Sequence, residues 1–276
     1  MPIFRKAALI GIGLIGGSLA LDLKKKRIAS KVVGVSKHTK TIALARKKKA
    51  IDEGSTSLSV IKGADLVIIA TPVDTIFGLK KLILKYAGKN CIVTDVASTK
   101  EDVTACLGNF FPNYIGSHPL AGSEKRGIES ACGGMFKGTL CILTLENRSS
   151  IRAFNKVRKM WRSLGAKVMV MKPREHDRIL SFASHLPHLV AFALINSLPS
   201  ATLGFCGKGL KDTTRIAASD PILWKGIFLT NKKHLLKAAE SFEKSFSKIK
   251  SAVRSNDPKA LEAILSKSQK KRESLK

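Results

Sequence analysis

The 276-residue chain has few cysteines, and their spacing argues against two structural classes. The five cysteines are an odd number and include no C-x-x-C pair, so they indicate neither a disulfide framework nor a zinc knuckle. Cys91 and Cys141 lie in apolar runs, where a thiol is usually a small buried hydrophobic side chain. We therefore expect a reduced, cytoplasmic protein.

Acidic and aromatic residues are also scarce. The 49 Lys and Arg residues outnumber 20 Asp and Glu residues, which gives a net charge of +29, and only 6% of residues are aromatic. Such a charge raises the question of a nucleic acid or an anionic membrane. The basic runs 24–27 and 46–49, however, fall near the ends of predicted helices, where cations stabilise the helix dipole. No aromatic residues interleave with them, so a solvated surface is favoured and neither kind of partner is expected.

Long hydrophobic runs are nearly absent. Residues 7–21 follow Arg5 and Lys6 and end in Ser18-x-Ala20, which mimics a secretory signal. Four glycines within this run disfavour the helix that a signal segment adopts. We expect no other segment to be long and apolar enough to cross a bilayer.

The chain alternates predicted strands and helices up to residue 172. This alternation predicts an α/β Rossmann domain, a doubly wound and mostly parallel sheet covered on both faces, over residues 1–172. From residue 173 to 276 only helices are predicted. The predicted strands are 7–10, 31–35, 65–70, 91–95, 114–117, 141–145 and 167–171, and the later helices are 175–198, 223–253 and 258–275. A stripe of Leu235, Phe242, Phe246 and Ile249 within the second of these helices predicts either core or a dimer seam.

The glycine-rich run after the first predicted strand indicates a dinucleotide site. Gly11, Gly13 and Gly16 form a G-x-G-x-x-G pattern that also includes Leu14 and Ile15. In such a turn the first glycine allows the bend, the second lets the backbone approach a pyrophosphate, and the third allows close helix packing. The alternative is a packing turn without a ligand.

Other cofactor contacts are predicted at the ends of the next strands. Folds of this kind that prefer NAD usually place Asp or Glu after the second strand, but here Ser36 and Lys37 occupy that position. A hydroxyl and a cation suit a 2′-phosphate, so we expect NADP rather than NAD. Thr71, Pro72 and Asp95 follow the next two strands and are predicted at the same carboxyl edge.

Polar clusters in the rest of the chain supply candidate catalytic groups. His118 follows a predicted strand and titrates near neutrality, although it can equally be a loop histidine bonded to backbone. His185 and His188 are three residues apart, but they have no acidic or cysteine partner nearby, so no metal site is expected. Lys211 and Arg215 can clamp a carboxylate or form surface ion pairs.

Five short motifs occur in order along nearly the whole chain. They are Gly13-Leu-Ile-Gly-Gly-Ser18, Asp95-x-x-Ser98-x-Lys100, His118-Pro-x-Ala-Gly-Ser123-Glu124-Lys-x-Gly127, Ser184-His-Leu-Pro-His188 and Asp212-x-Thr-Arg-Ile-Ala-x-Ser-Asp-Pro221. Together they resemble the prephenate/arogenate dehydrogenase family of tyrosine biosynthesis. The resemblance implies a Rossmann domain joined to an all-helical domain that forms a homodimer, with the active site between the two.

The resemblance also implies an oxidative decarboxylation and residue roles. His118 would accept or polarise the substrate hydroxyl with Ser98 beside it, and Arg215 would pair with a substrate carboxylate. His188 would line the substrate side-chain site, and Trp224 would form its wall. Asp212 would support the arginine region.

Several alternatives remain open at this stage. The sequence does not decide between prephenate and arogenate, although His188 favours prephenate by resemblance. A 3-hydroxyacid dehydrogenase, an imine reductase or a nucleotide sensor without catalysis are further alternatives. Residues 133–137 depart from the family pattern, which leaves the conformation of their loop open.

Overall fold

The computed structural model describes residues 1–122, 125–146 and 149–275. An eight-stranded sheet lies at the centre of the N-terminal part, in the order β3-β2-β1-β4-β5-β6-β7-β8. All neighbours are parallel except β6 and β7. The strands are β1 (Phe4–Ile10), β2 (Ala29–Val35), β3 (Glu53–Ser55), β4 (Leu66–Ile69), β5 (Ile92–Asp95), β6 (Tyr114–Pro119), β7 (Leu140–Thr144) and β8 (Lys167–Met171).

Helices cover both faces of this sheet, and two buried apolar clusters lie between them and the strands. The helices are α1 (Leu14–Lys25), α2 (Thr39–Lys47), α3 (Val73–Tyr86), α4 (Glu101–Gly108) and α5 (Ile151–Leu164). Strands β1 and β4 are buried along most of their length because helices cover both faces. The predicted Rossmann fold class is confirmed. Lys24 and Lys25 lie in the last turn of α1, as expected from the dipole argument.

Several strand ends differ from the sequence-based expectation by one to three residues, and two differences bear on the site. Strand β3 was not predicted; it has three residues and no apolar side chain. Strand β6 extends two residues beyond its predicted end, so His118 and Pro119 lie within the strand rather than in a loop. Residues 116–119 pair with β7, and this antiparallel ladder extends the strand.

The C-terminal part is helical throughout the residues that the structure describes. Its helices are α6 (Pro173–Leu180), α7 (Leu186–Asn196), α8 (Lys208–Thr214), α9 (Pro221–Thr230), α10 (Lys232–Arg254) and α11 (Pro258–Glu273). The single helix predicted for 223–253 is wrong, because the chain breaks at Asn231. Helix α8 and the short 3-10 turns on either side of it were not predicted.

Helices α6 and α7 join through a π-helical turn, Ser181–His185, into one 24-residue helix, Pro173–Asn196. By length and composition alone this helix could cross a membrane, which corrects the expectation that no such segment follows residue 21. It carries three buried polar residues: His176 and Asp177 contact the N-terminal part, and His185 contacts Asn231 of the helical part. These contacts are those of a helix packed within a folded protein.

Candidate active site

The glycine-rich turn between β1 and α1 has the geometry that a phosphate group requires. Gly11 has a φ of +92°, and a Cβ at Gly16 would lie 2.0 Å from the Gly11 carbonyl oxygen. A Cβ at Gly13, in contrast, would meet nothing within 4 Å. No side chain caps the start of α1, so its first N–H groups are available to an anion. Leu14 and Ile15 form the first turn of this helix.

Strands β1 and β4 are neighbours at the point where the strand order reverses, which is where doubly wound sheets bind ligands. Thr71 and Pro72 follow β4 there, and the Thr71 methyl would lie 3.0 Å from a Cβ at Gly11. The Thr71 hydroxyl is buried and has no hydrogen-bond partner within the described chain. Because buried polar groups are normally satisfied, this hydroxyl fits a site that holds a polar ligand.

Ser36 and Lys37 follow β2 directly at the same edge of the sheet. The Ser36 amide donates to the Ser55 carbonyl (3.3 Å), and its hydroxyl accepts from the His38 amide (3.2 Å). Lys37 is exposed. No carboxylate immediately follows β2, so the position suits either a hydroxyl group or a phosphate of a bound nucleotide.

Asp95 ends β5 at the carboxyl edge of the sheet, as the sequence predicts, but its side chain is enclosed rather than open to a ligand. Its side chain has no exposed surface, and its oxygens bind Lys100 Nζ, the Tyr114 hydroxyl (2.6 Å) and the Ala97 amide (2.9 Å). Lys100 is equally buried. The prediction that the Asp95 carboxylate contacts the cofactor is therefore corrected: the carboxylate neutralises a buried lysine beneath the site.

Three residues form a hydrogen-bonded chain that starts at His118. His118 Nδ1 lies 2.8 Å from His176 Nε2, and His176 Nδ1 lies 2.7 Å from an oxygen of Asp177. The Asp177 carboxylate also accepts from the backbone amides of Lys100 and Glu101, at 2.8 Å each. A residue of the helical part thus caps α4 of the sheet domain and orients a histidine pair.

The partners in this chain determine which ring nitrogens carry protons. The carboxylate can only accept, so neutral His176 carries its proton on Nδ1 and accepts at Nε2. His118 therefore donates from Nδ1 and keeps a lone pair on Nε2. Burial, with His176, Lys100 and His185 nearby, holds the His118 pKa well below its usual value. His118 is thus a neutral hydrogen-bond acceptor.

The residues predicted to bind substrate lie around Trp224 on α9. The rings of His188 and Trp224 stack with centroids 3.5 Å apart, and His185 meets Trp224 edge-on at 6.1 Å. His188 Nδ1 donates to the Ser184 carbonyl (2.9 Å). Burial lowers the His188 pKa, and the charge of Arg215 contributes to that shift, so Arg215 lies within electrostatic range of His188.

Pro187 explains how His185 comes to lie beside this cluster. Proline has no N–H and disfavours a regular helix in the turn before it. The π-helical turn Ser181–His185 lies immediately before it, and π turns often occur at functional sites. The extra residue in this turn changes the direction of the side chains on either side of it.

The other predicted residues are more exposed. Lys211 on α8 and the Arg215 side chain are exposed, and Arg215 forms no ion pair within the described residues. Ser98 is half-buried in the turn between β5 and α4. Ser123 and Glu124 of the His118 motif lie outside the described residues. Within the described ranges no group of three acidic, His or Cys side chains could hold a metal ion.

Residues 129–134, in the part of the loop after His118 that the structure describes, are anchored largely on α1. Ser18 accepts from the Cys132 amide (3.0 Å), and the Asp22 carboxylate accepts from the Gly134 amide (2.9 Å). Lys48 also donates to the Glu129 carbonyl, at 2.5 Å. The glycine-rich segment therefore has a defined anchor on the helix that begins at the phosphate-binding turn.

Sequence reasoning missed His176, Asp177 and Asn231. Asn231 Nδ2 lies 2.9 Å from the Asp177 carbonyl oxygen and 3.0 Å from His185 Nδ1. The sequence held one signal: an adjacent His–Asp pair three residues after Pro173, the residue that begins α6. Nothing in the sequence marks Asn231 as a site residue, because the helical pattern runs through it without a break.

Comparisons with known proteins agree with this arrangement. Residues 19–170 match the family described as "Prephenate dehydrogenase, nucleotide-binding domain", and residues 172–267 match "Prephenate dehydrogenase, dimerization domain". The prephenate dehydrogenase of Bacillus subtilis is 33% identical, over 92% of this chain and 71% of its own. The cyclohexadienyl dehydrogenase of Zymomonas mobilis is 30% identical, over 100% and 98%.

A solved structure extends this likeness to the whole fold. Prephenate dehydrogenase from A. aeolicus, in complex with hydroxyphenyl propionate and NAD+, superposes with a TM-score of 0.93 at 33% identity. The match covers 99% of this chain and 98% of the other. Both parts of the chain, and the way in which they are arranged, therefore correspond to those of this one solved structure.

Proposed function

Because this chain belongs to the prephenate dehydrogenase family, we propose that it oxidatively decarboxylates prephenate to 4-hydroxyphenylpyruvate in tyrosine biosynthesis. The observation that carries the proposal is the hydrogen-bonded chain His118–His176–Asp177, which leaves a lone pair on His118 Nε2. A reaction that oxidises an alcohol needs such an acceptor for the hydroxyl proton.

His118 acts on the hydroxyl-bearing ring carbon of the substrate. As hydride leaves that carbon, Nε2 accepts the hydroxyl proton, and Ser98 hydrogen-bonds the same oxygen. The bond from the ring to its carboxylate breaks, CO2 departs, and the released electron pair makes the ring aromatic and leaves a phenolate oxygen. The proton on His118 Nε2 returns to this oxygen and gives the hydroxyl of 4-hydroxyphenylpyruvate. Aromatisation supplies driving force, so the protein needs chiefly to orient the substrate and remove one proton.

Arg215 holds a substrate carboxylate at the other end of the site. Its guanidinium has no ion-pair partner among the described residues, so two N–H groups can bind a carboxylate in parallel. His188, stacked on Trp224, lines the same region, with His185 beside it. Lys211 adds positive charge near the entrance and favours an anionic substrate.

The nicotinamide ring supplies the hydride acceptor when the cofactor is bound. Gly11, Gly13 and Gly16 shape the pyrophosphate turn with Leu14 and Ile15, while Thr71 and Pro72 border it from β4. We propose NADP as the preferred cofactor and NAD as a possible substitute. Ser36 and Lys37 support this, because a hydroxyl and a cation favour a 2′-phosphate where an acid would repel it.

We further propose a cytoplasmic homodimer that forms through the helical domain. The stripe on α10 runs from buried Leu235 to Phe242 and Phe246, which are 39% and 56% exposed. Phe205 is 91% exposed. A second copy of the chain would bury these side chains. Sedimentation velocity tests this proposal, and a monomer at micromolar concentration contradicts it.

Absorbance at the reduced-nicotinamide band tests the reaction. Prephenate with NADP should give stoichiometric NADPH, CO2 and 4-hydroxyphenylpyruvate. Arogenate is the second candidate substrate, because a cyclohexadienyl dehydrogenase is among the relatives. Assays with both substrates and both cofactors rank the four combinations, and no turnover with any of them overturns the proposal.

A further inference from the structure

The side-chain amide of Asn231 has only one orientation that its surroundings allow. The Asp177 carbonyl oxygen can only accept a hydrogen bond, and it lies 2.9 Å from the Asn231 side chain. The atom facing it must therefore be the NH2 group. The second hydrogen of that group points to His185 Nδ1, 3.0 Å away.

This orientation fixes the proton position on His185. Because Asn231 donates to Nδ1, that nitrogen must carry a lone pair, and the proton of the neutral ring lies on Nε2. Burial lowers the pKa of His185 to about 4, so the ring is neutral at physiological pH. His185 is thus a donor at Nε2, whereas His118 is an acceptor at Nε2.

The Nε2–H of His185 has no hydrogen-bond partner among the described residues, although the side chain is only 1% exposed. An unsatisfied buried N–H is costly and uncommon. The ring contacts Trp224, which also stacks on His188, with Arg215 close by. This donor therefore lies beside Trp224, in the region that the proposed function assigns to the substrate side chain.

Two opposite charges lie near this donor, and the negative one is already bound by other groups. Arg215 is a cation, and the Asp177 carboxylate that acts on His185 is already occupied by two backbone amides and His176. An oxo group has only acceptor lone pairs, whereas an ammonium group has only donors and a positive charge. An ammonium group here would face a cation and an N–H.

We infer that Asn231 and His185 together select a substrate whose side chain ends in a 2-oxo acid over one that ends in a 2-amino acid. His185 Nε2–H donates to the oxo oxygen, and Asn231 is the positioning residue that prevents the ring from offering a lone pair instead. This inference rests on the proposed function and narrows it to prephenate rather than arogenate.

Three variants separate donor chemistry from structure. In His185→Phe an aromatic ring remains but the Nε2–H donor is lost, so the ratio of kcat/KM for prephenate to that for arogenate should fall at least tenfold. In Asn231→Asp the new carboxylate accepts a hydrogen bond from His185 Nδ1–H, so the lone pair of the His185 ring moves to Nε2. The ratio of kcat/KM for prephenate to that for arogenate should therefore fall further. Asn155→Asp makes the same change at an exposed position of α5 and should leave the ratio unchanged.

Binding of the product pair tests the inference without turnover. 4-Hydroxyphenylpyruvate and tyrosine differ only in the oxo and amino groups, and calorimetry gives their dissociation constants. The wild type should bind the oxo compound at least tenfold more tightly, and His185→Phe should lose this preference. A wild type that binds both equally, or variants that keep the preference, would overturn the inference.

Nitrogen-15 spectra of the imidazoles provide a readout that a purely structural role would not change. In the wild type, His185 should show Nε2 protonated, and 4-hydroxyphenylpyruvate should shift that signal. In Asn231→Asp the proton should be on Nδ1. If that variant does not fold, His185→Phe decides the test. Absence of turnover with either substrate disproves the reaction, whereas an unshifted Nε2 signal disproves this inference.

Discussion

His118 on β6 donates to His176 on α6 across 2.8 Å, although 58 residues separate them along the chain. The contact joins the sheet domain to the helical domain at the atom opposite the reactive nitrogen. The proton position on His118 therefore depends on the docking of α6.

Replacement of His118 by Asn removes the proton acceptor. We expect kcat to fall by about 10²- to 10⁴-fold, the usual contribution of a general base. The dissociation constant of NADP should stay near the wild-type value, because the phosphate-binding turn is unchanged. Steady-state kinetics and fluorescence titration measure the two quantities, and a fully active variant would remove His118 from the mechanism.

Replacement of Asp177 by Asn disturbs the chain from its far end. The new side chain has one acceptor oxygen for three donors, so His176 loses its fixed orientation and His118 becomes a mixture of tautomers. We expect kcat to fall by roughly 10²-fold or more and the α4 cap to weaken. Nitrogen-15 spectra of His118 report the tautomer. Asp102→Asn, exposed in the first turn of the same helix, is the control and should keep full activity.

Replacement of Arg215 by Ala should raise KM for the acid substrate about 10- to 100-fold, because a charge-assisted pair of hydrogen bonds is lost. The effect on kcat should be smaller. Arg215→Lys should restore only part of the affinity, since lysine cannot bind a carboxylate with two parallel N–H groups. Arg254→Ala, at an exposed position on α10, is the charge control. An unchanged KM would show that Arg215 points elsewhere.

Replacement of Ser36 by Asp places a carboxylate where we propose the 2′-phosphate binds. Repulsion should raise KM for NADP at least tenfold and leave KM for NAD equal or lower. The control is Ser268→Asp, which adds the same charge at an exposed position of α11, away from the proposed phosphate site. Equal NADP affinity in both variants would contradict the 2′-phosphate assignment.

Stability should decrease below neutral pH because of the buried histidines. The pKa values of His118, His176 and His185 are all lowered by burial. Between pH 6.5 and 5 the unfolded chain takes up protons that the folded chain excludes. The free energy of unfolding should therefore fall as pH falls, by up to about 1.4 kcal/mol per unit for each histidine.

Urea denaturation at several pH values within this window measures the slope. His118→Asn removes one of the three groups and should give a shallower dependence. His38→Gln, which alters an exposed histidine, should keep the wild-type slope. Identical slopes in all three proteins would show that burial of His118 does not control its protonation.

The sequence allowed the sheet to be predicted because its signal is local. Runs such as 66–70 are continuously apolar, as a strand buried on both faces must be. Strand β3 has no such signal, since Glu53, Gly54 and Ser55 pair only with β2 at the sheet edge. The glycine-rich turn could also be predicted from the sequence, because its function depends on glycines at a fixed spacing.

The polar network could not be predicted, because its contacts are tertiary. Residues 223–253 have an uninterrupted helical pattern, and the break at Asn231 comes with hydrogen bonds to Asp177 and His185, 54 and 46 residues away. The role of Asp95 could not be predicted for the same reason. Its place at the carboxyl end of β5 was correct, but only the fold shows that Lys100 and Tyr114 enclose it.

Gly17 lies one residue beyond the phosphate-binding glycines and faces the loop that follows His118. A Cβ there would come within 2.5 Å of Ile128 Cδ1 and 2.8 Å of Ala131 Cβ. Helix α1 and this loop therefore fit together as a matched pair of surfaces. A bulkier residue at 17 would require a smaller one at 128 or 131, so the two positions should change together as related sequences diverge.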